Sequence, residues 1–168
     1  MPTMRISLLS AILVTATAGS VAIASPPSNF TGTSLVAGDL NEVTNLSSEG
    51  IKFQTSSVTD GSVVKLEWQP GGTSGWHHHP GVLTVMVASG SVLVTRAQNG
   101  HCVSKSYGPG SPNGSIFTED DTMHVGTSDH GAVAYATAIV KDATPKVFRI
   151  EDSVPSCASG PHAVTPGS

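Results

Sequence analysis

The 168-residue chain carries only 12% charged residues and a net charge of −4. Its few Lys and Arg residues form no patch or stripe, so the electrostatic footprint of a nucleic-acid partner is missing. Lys, Glu, Arg and Leu are scarce while Val, Thr, Ser and Gly are abundant, which argues against a helical fold and for an all-β one in a single domain.

The first segment reads as a secretory leader. Met1 to Arg5 carry one positive charge, Ile6 to Ala24 are uncharged and apolar or small, and Ala22-Ile23-Ala24 forms a small-residue cleavage pattern ahead of Ser25-Pro26-Pro27. The competing reading is a retained membrane span, but its many Ser, Thr, Ala and Gly residues make a poor anchor. The expectation is therefore a signal peptide over residues 1–24, no stable membrane anchor after cleavage, and a secreted or extracytoplasmic mature protein. Residues 25–50 read as a loose N-terminal lead-in.

From residue 51 to 150 the chain alternates short strand-like runs with turn signals. The runs are Ile51–Thr55, Val63–Trp68, Trp76–His79, Val82–Ala88, Ser91–Arg96, His101–Tyr107, Ser115–Thr118, Thr122–Gly126, Ala132–Val140 and Lys146–Ile150. Glycine-rich or Asn-Gly segments separate several of them. Val85, Met86 and Val87 read as barrel lining or core. Many short strands between turns predict a sandwich or barrel. Residues 151–168 read as a flexible Pro/Gly/Ser tail. Cys102 and Cys157 most simply pair in an oxidising compartment and tie this tail to the body. Such a bridge would contribute about 4 kcal/mol by loop-closure entropy. Free thiols or thiolate ligands are the alternatives, though neither Cys sits at ligand spacing from a His.

The chemistry concentrates in Gly71-Gly72-Thr73-Ser74-Gly75-Trp76-His77-His78-His79-Pro80-Gly81. Alternate residues of a strand share a face, so His77 and His79 point one way and His78 the other. His124, in Thr122-Met123-His124-Val125-Gly126, adds a third imidazole. Three imidazoles on a β-scaffold suit a divalent transition metal (Fe, Mn, Zn, Ni or Cu) with positions left open. His78 reads as exposed or structural, and His101, His130 and His162 as solvated. Trp76 shares the parity of His78, so it either lines the cavity mouth or packs on the outer face. Glu67 and Glu119 are possible acid/base groups but read more simply as exposed carboxylates, with Glu119-Asp120-Asp121 a solvated turn.

These residues resemble the cupin family. Its first motif reads G, five residues, H-x-H, three or four residues, E, six residues, G; Gly71, His77, His79 and Gly90 match. Its second reads G, five residues, P-x-G, two residues, H, three residues, N. His124 matches there, while Asn113, Glu119, Asp121 and Ser128 stand at the G, P, G and N positions. The motif glutamate falls at Leu83 or Thr84, neither a carboxylate. The resemblance implies a small antiparallel jelly-roll barrel, a double-stranded β-helix, with His77, His79 and His124 converging as a neutral three-histidine site. Such a site would leave a divalent ion's charge uncompensated and draw in an anionic substrate. Thr84, Leu83, Trp76 and Met86 are the candidates for cavity or supporting positions; Thr84 would hydrogen-bond a metal-bound water if it faced inward. Two functions fit: metal-assisted oxygenation or isomerisation of a small organic molecule, or non-catalytic binding of a small ligand or a structural role in a barrel without metal. Homodimers are common in the family and are a further expectation.

Overall fold

A computed structural model describes residues 25–159. The signal-peptide reading of residues 1–24 and the last part of the tail lie outside the described residues. Twelve strands and one short helix follow in order: β1 (Ser28–Leu40), β2 (Asn45–Ser48), β3 (Ile51–Gln54), β4 (Thr59–Thr73), β5 (His77–His78), β6 (Gly81–Gly90), β7 (Val92–Gln98), β8 (His101–Tyr107), β9 (Ile116–Glu119), β10 (His124–Ser128), β11 (Ala132–Lys141), β12 (Ile150–Glu151) and α1 (Ser156–Ser159). Ten of these strands form one sheet in the order β12-β5-β10-β4-β11-β6-β9, with β1 added on β4 and the β7–β8 hairpin added on β10. All pairings are antiparallel, and the sheet rolls into a nearly closed barrel of jelly-roll type. The fold class is the one expected from the turn-punctuated strands.

Strand alternation explains the core. On β11 the inward residues are Ala132, Ala134, Ala136, Ala138 and Val140, all buried, while Tyr135 and Thr137 face out. On β6, Leu83, Val85 and Val87 are buried and Val82 and Met86 are exposed. The register pairs Ala138 with Leu83, Ala136 with Val85 and Ala134 with Val87. Small alanines thus face larger aliphatics, and the row of alanines leaves room inside the barrel. Trp68 closes the other side, packed against Phe30 with tilted rings 4.9 Å between centroids and donating its indole N–H to the Gly126 carbonyl at 3.0 Å.

Three regions differ from the sequence reading. Residues 28–40 are not a loose lead-in: β1 pairs with β4 from Ser28↔Thr73 to Leu40↔Thr59. Its own pattern is too polar to read as a strand because most of its side chains face solvent. Ile51–Gln54 is a strand, but with β2 it forms a separate exposed hairpin and is no part of the barrel wall. In the run expected as a strand over Lys146–Ile150, only Ile150 is in β12, which then pairs with His78 and His77. The tail is placed as far as residue 159, where the Cys102 and Cys157 sulfurs are 2.11 Å apart and their Cα atoms 5.4 Å, as the disulfide reading requires.

Candidate metal centre

The glycine-rich loop before β5 delivers the first pair of histidines. Gly75 has φ +70°, and a Cβ there would collide with the Ser25 carbonyl, so the turn requires glycine. Its carbonyl faces Nδ1 of His77 at 2.8 Å. β5 and β10 then place His77 directly opposite His124, and alternation brings His79 to the same face. The ring centroids lie 4.9 Å (His77–His79), 4.3 Å (His77–His124) and 5.2 Å (His79–His124) apart, with all three residues buried. The structure brings together the three histidines read from the sequence.

A fourth donor corrects that reading. Glu119 is neither an exposed turn residue nor a remnant of a lost motif proline; its side chain is only 9% exposed and points into the site. Its oxygens lie 3.3 Å from Nε2 of His79 and 3.2 Å from Nε2 of His124. The site is therefore three histidines plus a carboxylate, and the expectation of a neutral three-histidine site does not hold. The reason is cross-strand pairing: β9 runs beside β6 with Leu83 opposite Glu119 and Val85 opposite Phe117. Leu83 occupies a slot where the motif carries its glutamate, and its partner across the ladder supplies the carboxylate instead. One signal was available in the sequence: Glu119 is two residues after Phe117, so continuing the strand by one residue puts both on the inner face.

The electrostatics of the four groups are coupled. Burial, reinforced by the nearby charges of His124 and Arg149, pushes His77 down to about 2, so it is neutral at pH 7. Burial alone would raise Glu119, but His124 and His79 outweigh it and hold the carboxyl well below the usual range. Burial likewise opposes protonation of His124, yet Glu119 overcomes it and raises that imidazole.

The hydrogen bonds around the rings orient the lone pairs. Nδ1 of His77 meets the Gly75 carbonyl at 2.8 Å, Nδ1 of His79 the Phe148 carbonyl at 2.6 Å, and Nδ1 of His124 the Thr122 carbonyl at 2.6 Å. A carbonyl only accepts, so each Nδ1 carries a proton and donates it. In the neutral ring Nε2 is then a bare lone pair. Nε2 of His79 and of His124 are buried and make no hydrogen bond, although each faces a Glu119 oxygen. Lone pairs facing a carboxylate at this range repel unless a proton on the imidazole or a metal cation lies between them. The four donor atoms all lie within 4.8 Å of one another. Ligands about 2.1 Å from a common ion stand at most about 4.2 Å apart, so a small contraction closes the set. These residues fit a divalent transition metal.

The supporting candidates sort clearly. Leu83 is buried and lines the cavity beside the donors. Thr84 does not face inward: it pairs with Thr137 and Thr118 and borders a groove on the outer surface, so it cannot reach a bound water in the site. Met86 is 43% exposed and is no part of the lining or core, because it shares the parity of Thr84. Trp76 is buried away from this cavity, against the disulfide in a separate hollow. His78 is structural, its Nδ1 2.8 Å from Asp152. Glu67 pairs with Lys65 at 2.8 Å, and His101 and His130 are exposed. Two contributors had no signal in the sequence: the Phe148 carbonyl and Arg149, which reach the site on the loop before β12.

The cavity beside the donors measures about 180 Å³, and its walls are mostly apolar. Among the described residues no helix is long and apolar enough to cross a membrane. No protein-family model and no curated protein matches the chain. Among solved structures it is similar to a cupin-2 domain protein from Rhodospirillum rubrum, at 14% identity and TM-score 0.48, covering 79% of this chain and 70% of that one. A cupin domain from Bordetella pertussis aligns at 17% identity and TM-score 0.42 over 70% of this chain and 97% of that one. An oxalate oxidase aligns at 22% identity and TM-score 0.40 over 48% of this chain and 45% of that one. These likenesses are of fold, whereas the four converging donors belong to this chain itself. The fold is a small antiparallel β-barrel with a buried His77/His79/Glu119/His124 cluster that could hold a metal.

Proposed function

We propose that this chain is an extracytoplasmic barrel protein that holds one divalent transition metal through Nε2 of His77, His79 and His124 and a carboxylate oxygen of Glu119, next to a cavity for a small organic molecule. The observation that carries the reading is the locking of all three imidazoles by backbone carbonyls, which leaves the buried Nε2 atoms of His79 and His124 facing Glu119 and brings four donor atoms within 4.8 Å of one another. The disulfide supports the compartment, since such bonds persist where the environment is oxidising. A bound divalent ion would supply a Lewis-acid centre with coordination positions open to a ligand. Glu119 offsets one unit of its charge, the carbonyl-bonded imidazoles keep their orientation, and the apolar walls exclude bulk water.

Among the described residues lining the cavity, Arg149 is the only ionisable group besides the donors. No free carboxylate or imidazole is left there to act as a general base. That favours, as a second reading, a protein that binds its small molecule without turning it over.

The test is elemental mass spectrometry on tag-free mature protein beside a His77→Ala/His124→Ala variant. About one metal per chain, lost in the variant, is the expected result; no stoichiometric metal after reconstitution overturns the proposal. Metal-dependent oxygen uptake or product formation across a panel of small organic acids and alcohols would then separate the enzyme from the binding protein.

A further inference from the structure

We propose that the cavity beside the four donors takes a compact apolar monoanion, a single-ring or short branched carboxylate, and that Arg149 selects its charge. The inference rests on the metal-binding reading and names the ligand class that the same site accepts.

Size comes first. An engineered protein cavity of about 150 Å³ holds one benzene; this one measures about 180 Å³. There is room for one ring and a small substituent, and none for a second ring. Wall chemistry comes next. Leu66, Trp68, Leu83, Phe117 and Phe148 present hydrocarbon, and the alanines of β11 leave the space between them. A polar or charged group pressed against these side chains would lose its hydration without a partner.

Charge sets the third limit. The ionised Glu119 compensates only half of a divalent ion, and the three imidazoles compensate none. Arg149 borders the same cavity, and its position is held by other groups. Its Nε donates to Glu151 Oε1 at 2.6 Å, its Nη2 donates to Glu151 Oε2 at 3.0 Å, and Nη2 also donates to the Ser74 carbonyl. Nη1 has no hydrogen bond among the described residues, which leaves donors for a ligand. Glu151 offsets much of the guanidinium charge, so with a divalent ion bound the cavity would retain about one excess positive charge, and Nη1 of Arg149 is the wall donor that directs a carboxylate to it. One carboxylate neutralises it. A second would be buried against hydrocarbon.

The experiment is calorimetric titration of the zinc-loaded protein with benzoate, benzyl alcohol and terephthalate, with the metal counted in every sample. Benzoate should bind saturably, one per chain, and more tightly than benzyl alcohol, which has the same ring and no charge. Terephthalate, which adds a second carboxylate at the far end, should bind at least about tenfold more weakly than benzoate. Arg149→Gln should weaken benzoate at least about tenfold and leave benzyl alcohol unchanged, and Arg149→Lys should recover part of the loss. Glu151→Gln, at a side chain 43% exposed, should tighten benzoate by releasing the guanidinium charge. With stoichiometric zinc present, three results overturn this inference alone: no benzoate binding, equal benzoate affinity in wild type and Arg149→Gln, or terephthalate binding as tightly as benzoate. Failure of the protein to hold zinc overturns the metal reading and the anion preference with it.

Discussion

The histidines of the site are held in two different ways. His77 and His124 each bond a carbonyl two residues upstream, Gly75 and Thr122, so each is oriented by its own turn. His79 bonds the Phe148 carbonyl, 69 residues downstream, on the segment that joins β11 to β12. That segment is anchored from outside the barrel by three devices. Lys146 contacts Asp39 on β1 and the fully buried Asp60 on β4. β12 pairs with β5, and Asp152 N–H bonds the Trp76 carbonyl at 2.9 Å. The disulfide fastens the chain beyond it to β8. Two of the histidines are thus local products of their turns, while the third depends on a strap held to the barrel by contacts between residues far apart in the chain. The strap, which reads in the sequence as a last strand-like run followed by a tail, is part of the candidate metal centre.

The sharpest test of the contrast between local and long-range placement is at Glu119. Glu119→Leu should abolish metal retention, measured by elemental analysis after dialysis. Adding Leu83→Glu moves the carboxylate to the opposite position on the neighbouring strand and should restore retention in part. A double variant as empty as the single one would show that the cross-strand exchange is not equivalent.

Breaking the strap comes second. Cys102→Ser/Cys157→Ser should lower stability by about 4 kcal/mol in urea denaturation, from the loop-closure entropy of 55 residues. It should also weaken metal binding by about 10–100-fold, the usual cost of losing a partner that orients a ligand. His79→Ala in the same background should then cost less metal affinity than it does in the intact protein.

The third effect depends on pH. Lys146 holds Asp60 below the ordinary carboxylate value of 3.8, despite the opposing effect of burial. The folded state therefore takes up this proton less readily than the unfolded chain. The contribution is present above that value and is lost as pH falls through the folded one. Contacts with Asp39 and Asp60 conversely raise Lys146 above 10.5, so its contribution is present below that value and is lost as pH rises beyond it. Asp60→Asn should flatten the acid-side loss relative to wild type in denaturation curves at pH 7 and pH 3. Identical slopes for the two proteins would contradict the assignment.

The smallest effect belongs to the outer face of β6. Met86→Ala and Thr84→Ala should change stability by no more than about 0.5 kcal/mol and leave metal content unchanged, as expected for side chains that pack on nothing in the core. A lost metal in Thr84→Ala would reopen its assignment to the site.

What could be read in the sequence was what depends on spacing over a few residues. The H-x-H at His77 and His79 follows from strand alternation, and the turn glycines Gly75 and Gly90, both with φ near +70°, announce their own conformation. The apolar runs of β6 and β11 announce strands between their turn signals. Glu119 was misread because its run looks like a turn until β9 is laid against β6; one more paired residue reverses its environment from solvent to interior. Met86 was misread for the complementary reason: in a continuous apolar run, composition does not tell the inner face from the outer, and only the register does. The Phe148 carbonyl and Arg149 left no trace at all, because a backbone acceptor has no side-chain signature and a lone arginine in a loop has no period. Short-range periodicity therefore determined the all-β class and the His77/His79 pair, and the spacing of the resembled motifs added the barrel and His124. The charge of the site, its fourth donor and the fixing of His79 were decided by strand pairing and loop closure, which act between residues far apart in the chain.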